Sequence, residues 1–226
     1  MKFKSFTLLE LLIVIAIIAI MASILLPTLQ NTKNKTYTIS CSSQERQIAF
    51  ATQSYANDYN DYLPHSGMAD TATTSTWSSL IASYLNIEKL NVNLLQKGIF
   101  NCPAQKNGNC GNSTMGYLGF YGGYGWNYTY IGWRPGMSGY LDYVQRISIK
   151  KPTSTIMMGD TSDDKTTSGT GQGSVHFYLY YPASFPAINY YASRHSNGGN
   201  MVWCDGHVST HKRTELIKNA IWYKRY

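Results

Sequence analysis

Residues 4 to 27 read KSFTLLELLIVIAIIAIMASILLP, and no other stretch constrains this chain as strongly. Leu11 to Leu26 is apolar except for Ser23, and with Phe6 to Leu9 it reaches the length a helix needs to cross about 30 Å of hydrocarbon. Glu10 interrupts the run near its start. An ionisable side chain in a bilayer-length segment is costly to bury, so it marks a partner or a function. Lys2 and Lys4 flank the run on its N-terminal side without nearby acids. That asymmetry predicts that this end stays in the cytoplasm while everything after Pro27 is exported. A secretory signal peptide would share the basic start, the apolar core and the small residues near Ala22 and Ser23. The carboxylate at the start of the core, the length of the core and the poor small-x-small spacing of Ile20, Met21 and Ala22 argue against it.

The remaining length fits one globular head. The chain has 226 residues, 43% of them apolar, enough for a real core beside an appended segment. Its formal charge of +7 would fall to +5 if Lys2 and Lys4 were removed. The basic residues cluster at the tail, at Lys212, Arg213, Lys218, Lys224 and Arg225, which reads as a solvated face rather than a nucleic-acid site.

Ser5, Phe6, Thr7, Leu8, Leu9 and Glu10, followed by the apolar run and Pro27, resemble the processing site of type IV prepilins and type II secretion pseudopilins. The resemblance implies cleavage by a prepilin peptidase between Ser5 and Phe6, with methylation of the new Phe6 amine. Gly is the usual residue before the cut, and Ser5 stands in its place. It also implies filament assembly through Phe6, Glu10 and Pro27. A buried N-terminal ammonium needs a counter-charge, and Glu10 of a neighbouring subunit would supply one and fix the axial register. Pro27 removes one backbone hydrogen bond and permits a kink or local melting.

Beyond Pro27 the spacing predicts a continuing amphipathic helix. Tyr37, Cys41, Gln44, Ile48, Ala51, Tyr55, Tyr59 and Tyr62 recur at intervals of three and four, while Lys33, Lys35, Glu45, Arg46 and Asp58 point mostly elsewhere. Pro64 and Gly67 are expected to end this helix, which would run from about Phe6 to about Tyr59. The expected fold is α+β, the pilin-like lollipop in which a long N-terminal helix packs on a small antiparallel sheet. Residues 1–5 are read as leader, 6–27 as membrane or filament-core segment, 28–62 as amphipathic helix and 63–226 as a β-rich head.

Within the head, residues 76–95 offer helical apolar spacing in two pieces, and Ile147 to Ile149 and Ile156 to Met158 are expected as sheet strands around Pro152. The glycine- and aromatic-rich stretch 116–133 packs over the sheet in one reading and binds a glycan or secreted substrate in another.

The ending "RHSNGGNMVWCDGHVST" extends the resemblance to pilin-like proteins with a C-terminal His-x9-Asp-Gly signature, carried here by His195, Asp205 and Gly206. From the residues themselves, 195–210 reads as a hairpin with Asp205-Gly206 as a type I′ turn and a preceding turn at Asn197, Gly198 and Gly199. His195 is expected to hold its register. A metal among His195, Asp205, His207 and His211 is the lesser reading, because strand alternation scatters these side chains. Asp160, Asp163 and Asp164 form a better calcium candidate, against a solvated loop. No other cofactor is expected.

Cys41, Cys102, Cys110 and Cys204 in an exported head suggest disulfides. Cys102 and Cys110 enclose a short loop, and Cys41 faces the sheet within reach of Cys204 or Cys102. Zinc is disfavoured by the lack of a Cys-x2-Cys spacing.

No nucleophile elbow, His-Glu-x-x-His helix or Walker loop is present, so the sequence does not read as an enzyme. It reads as a filament subunit of a type IV pilus or secretion pseudopilus in a bacterial inner membrane. Its head would lie outside the cytoplasm, and its partners would be its own copies, the prepilin peptidase, the inner-membrane platform and the lipid bilayer. The alternative is a membrane-anchored or filament-tip binding module that recognises its ligand through the aromatic stretch.

Overall fold

A computed structural model describes residues 7–65, 76–88, 98–104, 123–132, 143–160 and 194–218. The chain divides into two units, Met1–Thr36 and Tyr37–Tyr226. Helix α1, Leu8–Asp58, begins in the first and ends in the second.

In the first unit the helix is bare. Leu8, Leu9, Leu11, Leu12, Ile13, Val14 and the apolar residues that follow as far as Leu29 are all exposed. Such a surface is stable only in lipid or against other apolar chains. Pro27 lies inside the helix without ending it. Its ring nitrogen carries no hydrogen, so the Ser23 carbonyl lacks its usual donor. Ser23, Thr28, Thr32 and Thr36 turn their hydroxyls back onto carbonyls three or four residues earlier, at 2.7 to 3.0 Å, which removes them as polar groups in an apolar setting.

In the second unit the same helix has a buried stripe of Cys41, Glu45, Ile48, Ala49, Ala51, Thr52, Tyr55 and Ala56. The stripe differs from the sequence reading at both ends of the polarity scale. Tyr59 and Tyr62, expected inside, are exposed, whereas Glu45, expected outside, is fully buried. Glu45 follows Cys41 by four residues and so shares its face whatever its charge. The helix also ends ahead of Pro64. Asn60 and Asp61 adopt φ of 50° and 69°, and the Asp61 amide reaches back to the Ala56 carbonyl at 2.8 Å, a left-handed termination that needs no proline.

Strands β1 (Tyr124–Trp126), β2 (Ile156–Asp160), β3 (Gly198–Trp203) and β4 (Val208–Lys212) form a four-stranded antiparallel sheet in the order β1-β2-β3-β4. The fold is therefore α+β, a long N-terminal helix with a small antiparallel sheet, as the sequence predicts. Short helices α2 (Trp77–Leu80), α3 (Tyr128–Ile131) and α4 (Arg213–Lys218) complete it. The 76–95 stretch begins in two pieces as predicted, α2 and a 3-10 turn at Ala82–Leu85, separated at Ile81. The core centres on Trp77, stacked on Trp126 at 5.7 Å and edge-on to Phe100 at 5.6 Å. Ile48, Leu63, Ile81, Ile131, Met157, Met158 and Val202 close around them.

Ile147 to Ile149 is not a strand. Arg146–Ser148 is a 3-10 turn, and Ile147 is 84% exposed. The end of α1 captures it: Asp61 accepts the Ile147 amide at 3.0 Å, and its carbonyl accepts the Arg146 amide at 2.9 Å. Ile156 to Met158 does lie in a strand, and Pro152 opens the 3-10 turn before it.

Asp205-Gly206 is not the type I′ turn expected of it, and the turn ahead of β3 is centred on Ser196-Asn197, with Gly198 and Gly199 already in the strand. Ser196 and Asn197 both have positive φ, 52° and 64°, and His195 and Gly198 exchange backbone hydrogen bonds across them, the signature of type I′. At Asp205-Gly206 only Gly206 has positive φ, at 93°. The Gly206 amide bonds the Trp203 carbonyl at 2.8 Å, and the Trp203 amide bonds the His207 carbonyl at 3.0 Å. This is a three-residue turn closed by a bulge glycine.

Candidate functional site

At the start of α1, Thr7 and Glu10 form a reciprocal cap. The Thr7 amide and hydroxyl donate to Glu10 Oε2 at 2.8 and 2.9 Å, and the Glu10 amide donates to Thr7 Oγ1 at 3.2 Å. Two amide groups that a helix start leaves orphaned are thereby satisfied. The Thr-x-x-Glu spacing is itself the sequence signature of a capping box, a local role for Glu10 beside the intermolecular one that the resemblance implies.

A second constellation lies in the head, where four separate segments each contribute one side chain. Cys41 comes from the buried stripe of α1 and Cys102 from the loop 98–104, which the Gly123 amide holds through the Phe100 carbonyl at 2.9 Å. Asp160 ends β2, and His195 immediately precedes the type I′ turn into β3. One potential ligand atom from each of the four lies within 4.8 Å of all the others, and all four residues are buried.

The contacts inside this group are close. His195 Nε2 stands 3.2 Å from Asp160 Oδ2 and 3.3 Å from Cys102 Sγ. The Cys41 thiol lies 3.4 and 3.6 Å from the two Asp160 oxygens. Around it, the Asn200 amide donates to Asp160 Oδ2 at 2.8 Å, and Arg194 Nη1 reaches Asp160 Oδ1 at 3.5 Å and the Gly123 carbonyl at 2.7 Å. His195 Nδ1 meets Thr38 Oγ1 at 3.1 Å. The Tyr124 hydroxyl faces Cys41 Sγ at 3.3 Å and Gln44 Oε1 at 2.8 Å.

Electrostatics polarise the group. Burial opposes ionisation of Asp160, but His195, Arg194 and the Asn200 amide outweigh it and hold the carboxyl below its ordinary value. Burial likewise lowers the basicity of His195, yet hydrogen bonds to Asp160 and Cys102 prevail and bring it up to about 9. A hydrogen bond from Cys41 is the main cause that brings Cys102 down to about 6, against burial and with help from His195 and Arg194. Burial, followed by the donated bond to Cys102 and the charge of Asp160, pushes Cys41 up. Beside them, burial drives Glu45 well above the usual carboxylate range, and neither of its oxygens has a hydrogen-bond partner among the described residues.

Residues 1–26 match the prokaryotic N-terminal methylation motif. The chain thus begins as a prepilin-type N-terminal cleavage and methylation protein does. No curated protein and no solved structure matches it. The prepilin-type motif and the apolar helix behind it fit a membrane-anchored, single-pass chain.

Of the residues singled out from the sequence, Ser5, Phe6, Cys110, Asp163 and Asp164 lie outside the described residues. Cys41, Cys102 and Cys204 are free thiols, so Cys41 is bridged to neither of the other two. Cys41 and Cys102 are nonetheless neighbours in the buried group, and Cys204 stands apart from it. Asp160 is enclosed with two thiols and an imidazole rather than the oxygen ligands calcium takes. The side chain of His195 enters the same group, and it is the backbone of His195 that closes the turn. His195, Asp205, His207 and His211 do not converge: His207 Nδ1 pairs with Asp205 at 2.7 Å, and His211 contacts Ser209 and Glu215. Asp205 and Gly206 form the hairpin tip, which Gln53 of α1 holds by donating to the Cys204 carbonyl at 3.1 Å. From the aromatic stretch, Tyr124 and Trp126 are core residues, 1% and 0% exposed, and offer no stacking platform.

Proposed function

We propose that this protein is a structural subunit of a type IV pilus-like or type II secretion pseudopilus filament. It would be exported as a prepilin, cut before Phe6 by the prepilin peptidase and methylated on the new amine. In this reading the head lies outside the cytoplasm, the inner-membrane platform receives the subunit from the bilayer, and no catalytic step is involved. Within that class the spacing of His195, Asp205 and Gly206 groups it with pilin-like proteins carrying the His-x9-Asp-Gly signature.

The observation that carries the reading is the prepilin-type motif followed by a helix bare of protein contacts from Leu8 to Leu29. A surface of this kind exchanges lipid for identical helices at little hydrophobic cost, so packing and the Glu10 charge decide the association.

The deciding experiment is intact mass with N-terminal fragmentation on protein purified from its native membrane. A chain that begins at N-methylated Phe6 is the expected result. A chain that retains Met1, or that starts near Ser23, removes the basis for filament assembly.

A further inference from the structure

We infer that Cys41, Cys102, Asp160 and His195 form a buried binding site for one zinc ion that fastens α1 to the sheet. The site does not depend on the filament reading.

A zinc ion bound by two sulfurs, one nitrogen and one oxygen at about 2.0 to 2.3 Å places its ligand atoms about 3.3 to 3.8 Å apart along the edges of a tetrahedron. The separations of 3.2 Å for His195 to Asp160, 3.3 Å for His195 to Cys102 and 3.4 Å for Cys41 to Asp160 fall within a few tenths of an ångström of that. Since each atom is within 4.8 Å of every other, the group closes on itself.

Ligand type narrows the ion. Two thiolates with an imidazole suit a borderline-soft tetrahedral cation and not calcium or magnesium.

The surroundings complete a second layer of the kind metal sites require. With Nε2 on the metal, the His195 Nδ1–H has Thr38 Oγ1 as acceptor at 3.1 Å, which fixes the ring. Asp160 is oriented by the Asn200 amide and by Arg194, and the Tyr124 hydroxyl faces the Cys41 sulfur. Charge also balances. Two thiolates and a carboxylate are cancelled by a divalent ion and the Arg194 guanidinium, whose side chain is 1% exposed.

The ligands belong to α1, the 98–104 loop, the end of β2 and the turn before β3, so the ion would act as a structural staple.

The test is metal analysis of the full-length protein. Purified from its membrane without chelator, it is expected to carry about one zinc per chain. After the metal is stripped under reductant, Co2+ should bind in its place and give tetrahedral d–d absorption together with thiolate-to-cobalt charge transfer. Cys102→Ser and His195→Ala should lose the metal, and Cys204→Ala should keep it. A reduced wild-type chain that takes up neither ion, or binds cobalt without thiolate bands, overturns the assignment. A Cys41–Cys102 disulfide in the native protein overturns it equally. The wild-type chain alone yields these outcomes, so the assignment stands or falls even where a variant fails to fold.

Discussion

His195 and Asp160 meet at 3.2 Å with side chains 1% and 0% exposed, and Arg194, 1% exposed, approaches the same carboxylate at 3.5 Å. Ionic groups this deep persist only when each compensates the others.

Asp160→Asn removes an anion that both Arg194 and His195 contact. Leaving buried charge unpaired costs about 3 to 5 kcal/mol, far more than a surface pair. Denaturant unfolding of the full chain in detergent is expected to show that loss. A change below about 1 kcal/mol, the scale of a surface pair, would mean that Arg194 and His195 find other anions.

Glu10→Gln separates two roles of one side chain. Glutamine serves a capping box as glutamate does, so the reciprocal bonds with Thr7 survive while the charge is lost. Filament assembly is expected to fail in Glu10→Gln as completely as in Glu10→Ala, with export and membrane insertion unchanged in both. Normal filaments from Glu10→Gln would reduce Glu10 to a helix cap.

Asp61 and Arg146 give a pH dependence. Burial works against ionisation of Asp61, but hydrogen bonds from the Arg146 side chain and the Ile147 amide outweigh it and hold the carboxyl below its ordinary value. A carboxyl with a lowered folded-state pKa contributes stability above its unfolded value, about 4, and loses it as pH falls through the folded value. The side chains are 28% and 31% exposed, so a double-mutant cycle on Asp61→Ala and Arg146→Ala should give about 0.5 to 1 kcal/mol of coupling at neutral pH. That coupling should fall away as pH drops through the folded-state value; coupling that is unchanged once the carboxyl is protonated in both states would contradict an ionic origin.

Gly123→Ala tests the approach of the Cys102 loop to the sheet. A Cβ at Gly123 would stand 2.6 Å from the Cys102 amide nitrogen and 2.9 Å from Arg194 Nη1, and a backbone atom cannot step aside as a flexible side chain can. Overpacking of this kind costs about 1 to 3 kcal/mol. Alkylation of Cys102 by iodoacetamide should accelerate as its loop lifts. At Gly206 a Cβ would meet only Gln53 Nε2 at 4.0 Å, an ordinary contact, and only the φ of 93° is strained, so Gly206→Ala should cost about 1 kcal/mol and leave Cys102 as protected as before.

The long helix is legible because its signals are local and repeated: an apolar run, then apolar residues at intervals of three and four, predicting about Phe6 to about Tyr59 where Leu8–Asp58 is found. The hairpin strands are legible for the same reason. Glu45 is misplaced by a reading that weighs residue type above position on the helix. Ile147 to Ile149 has strand composition, but its conformation is set by Asp61, a residue far away in sequence. The buried group is the least legible. Cys41, Cys102, Asp160 and His195 stand alone on their segments, and only tertiary packing brings them together. A search for Cys-x2-Cys therefore has nothing to find. Cys41 on the buried helix face is the one local hint.

The cap between Thr7 and Glu10 has a further consequence in the filament reading. The carboxylate of a solitary subunit is already engaged with its own backbone, so joining a neighbour means trading one partner for another instead of satisfying an idle charge. The lost cap bonds offset part of what the new ion pair contributes, so a junction made through Glu10 is weaker than one made by a carboxylate with no partner of its own.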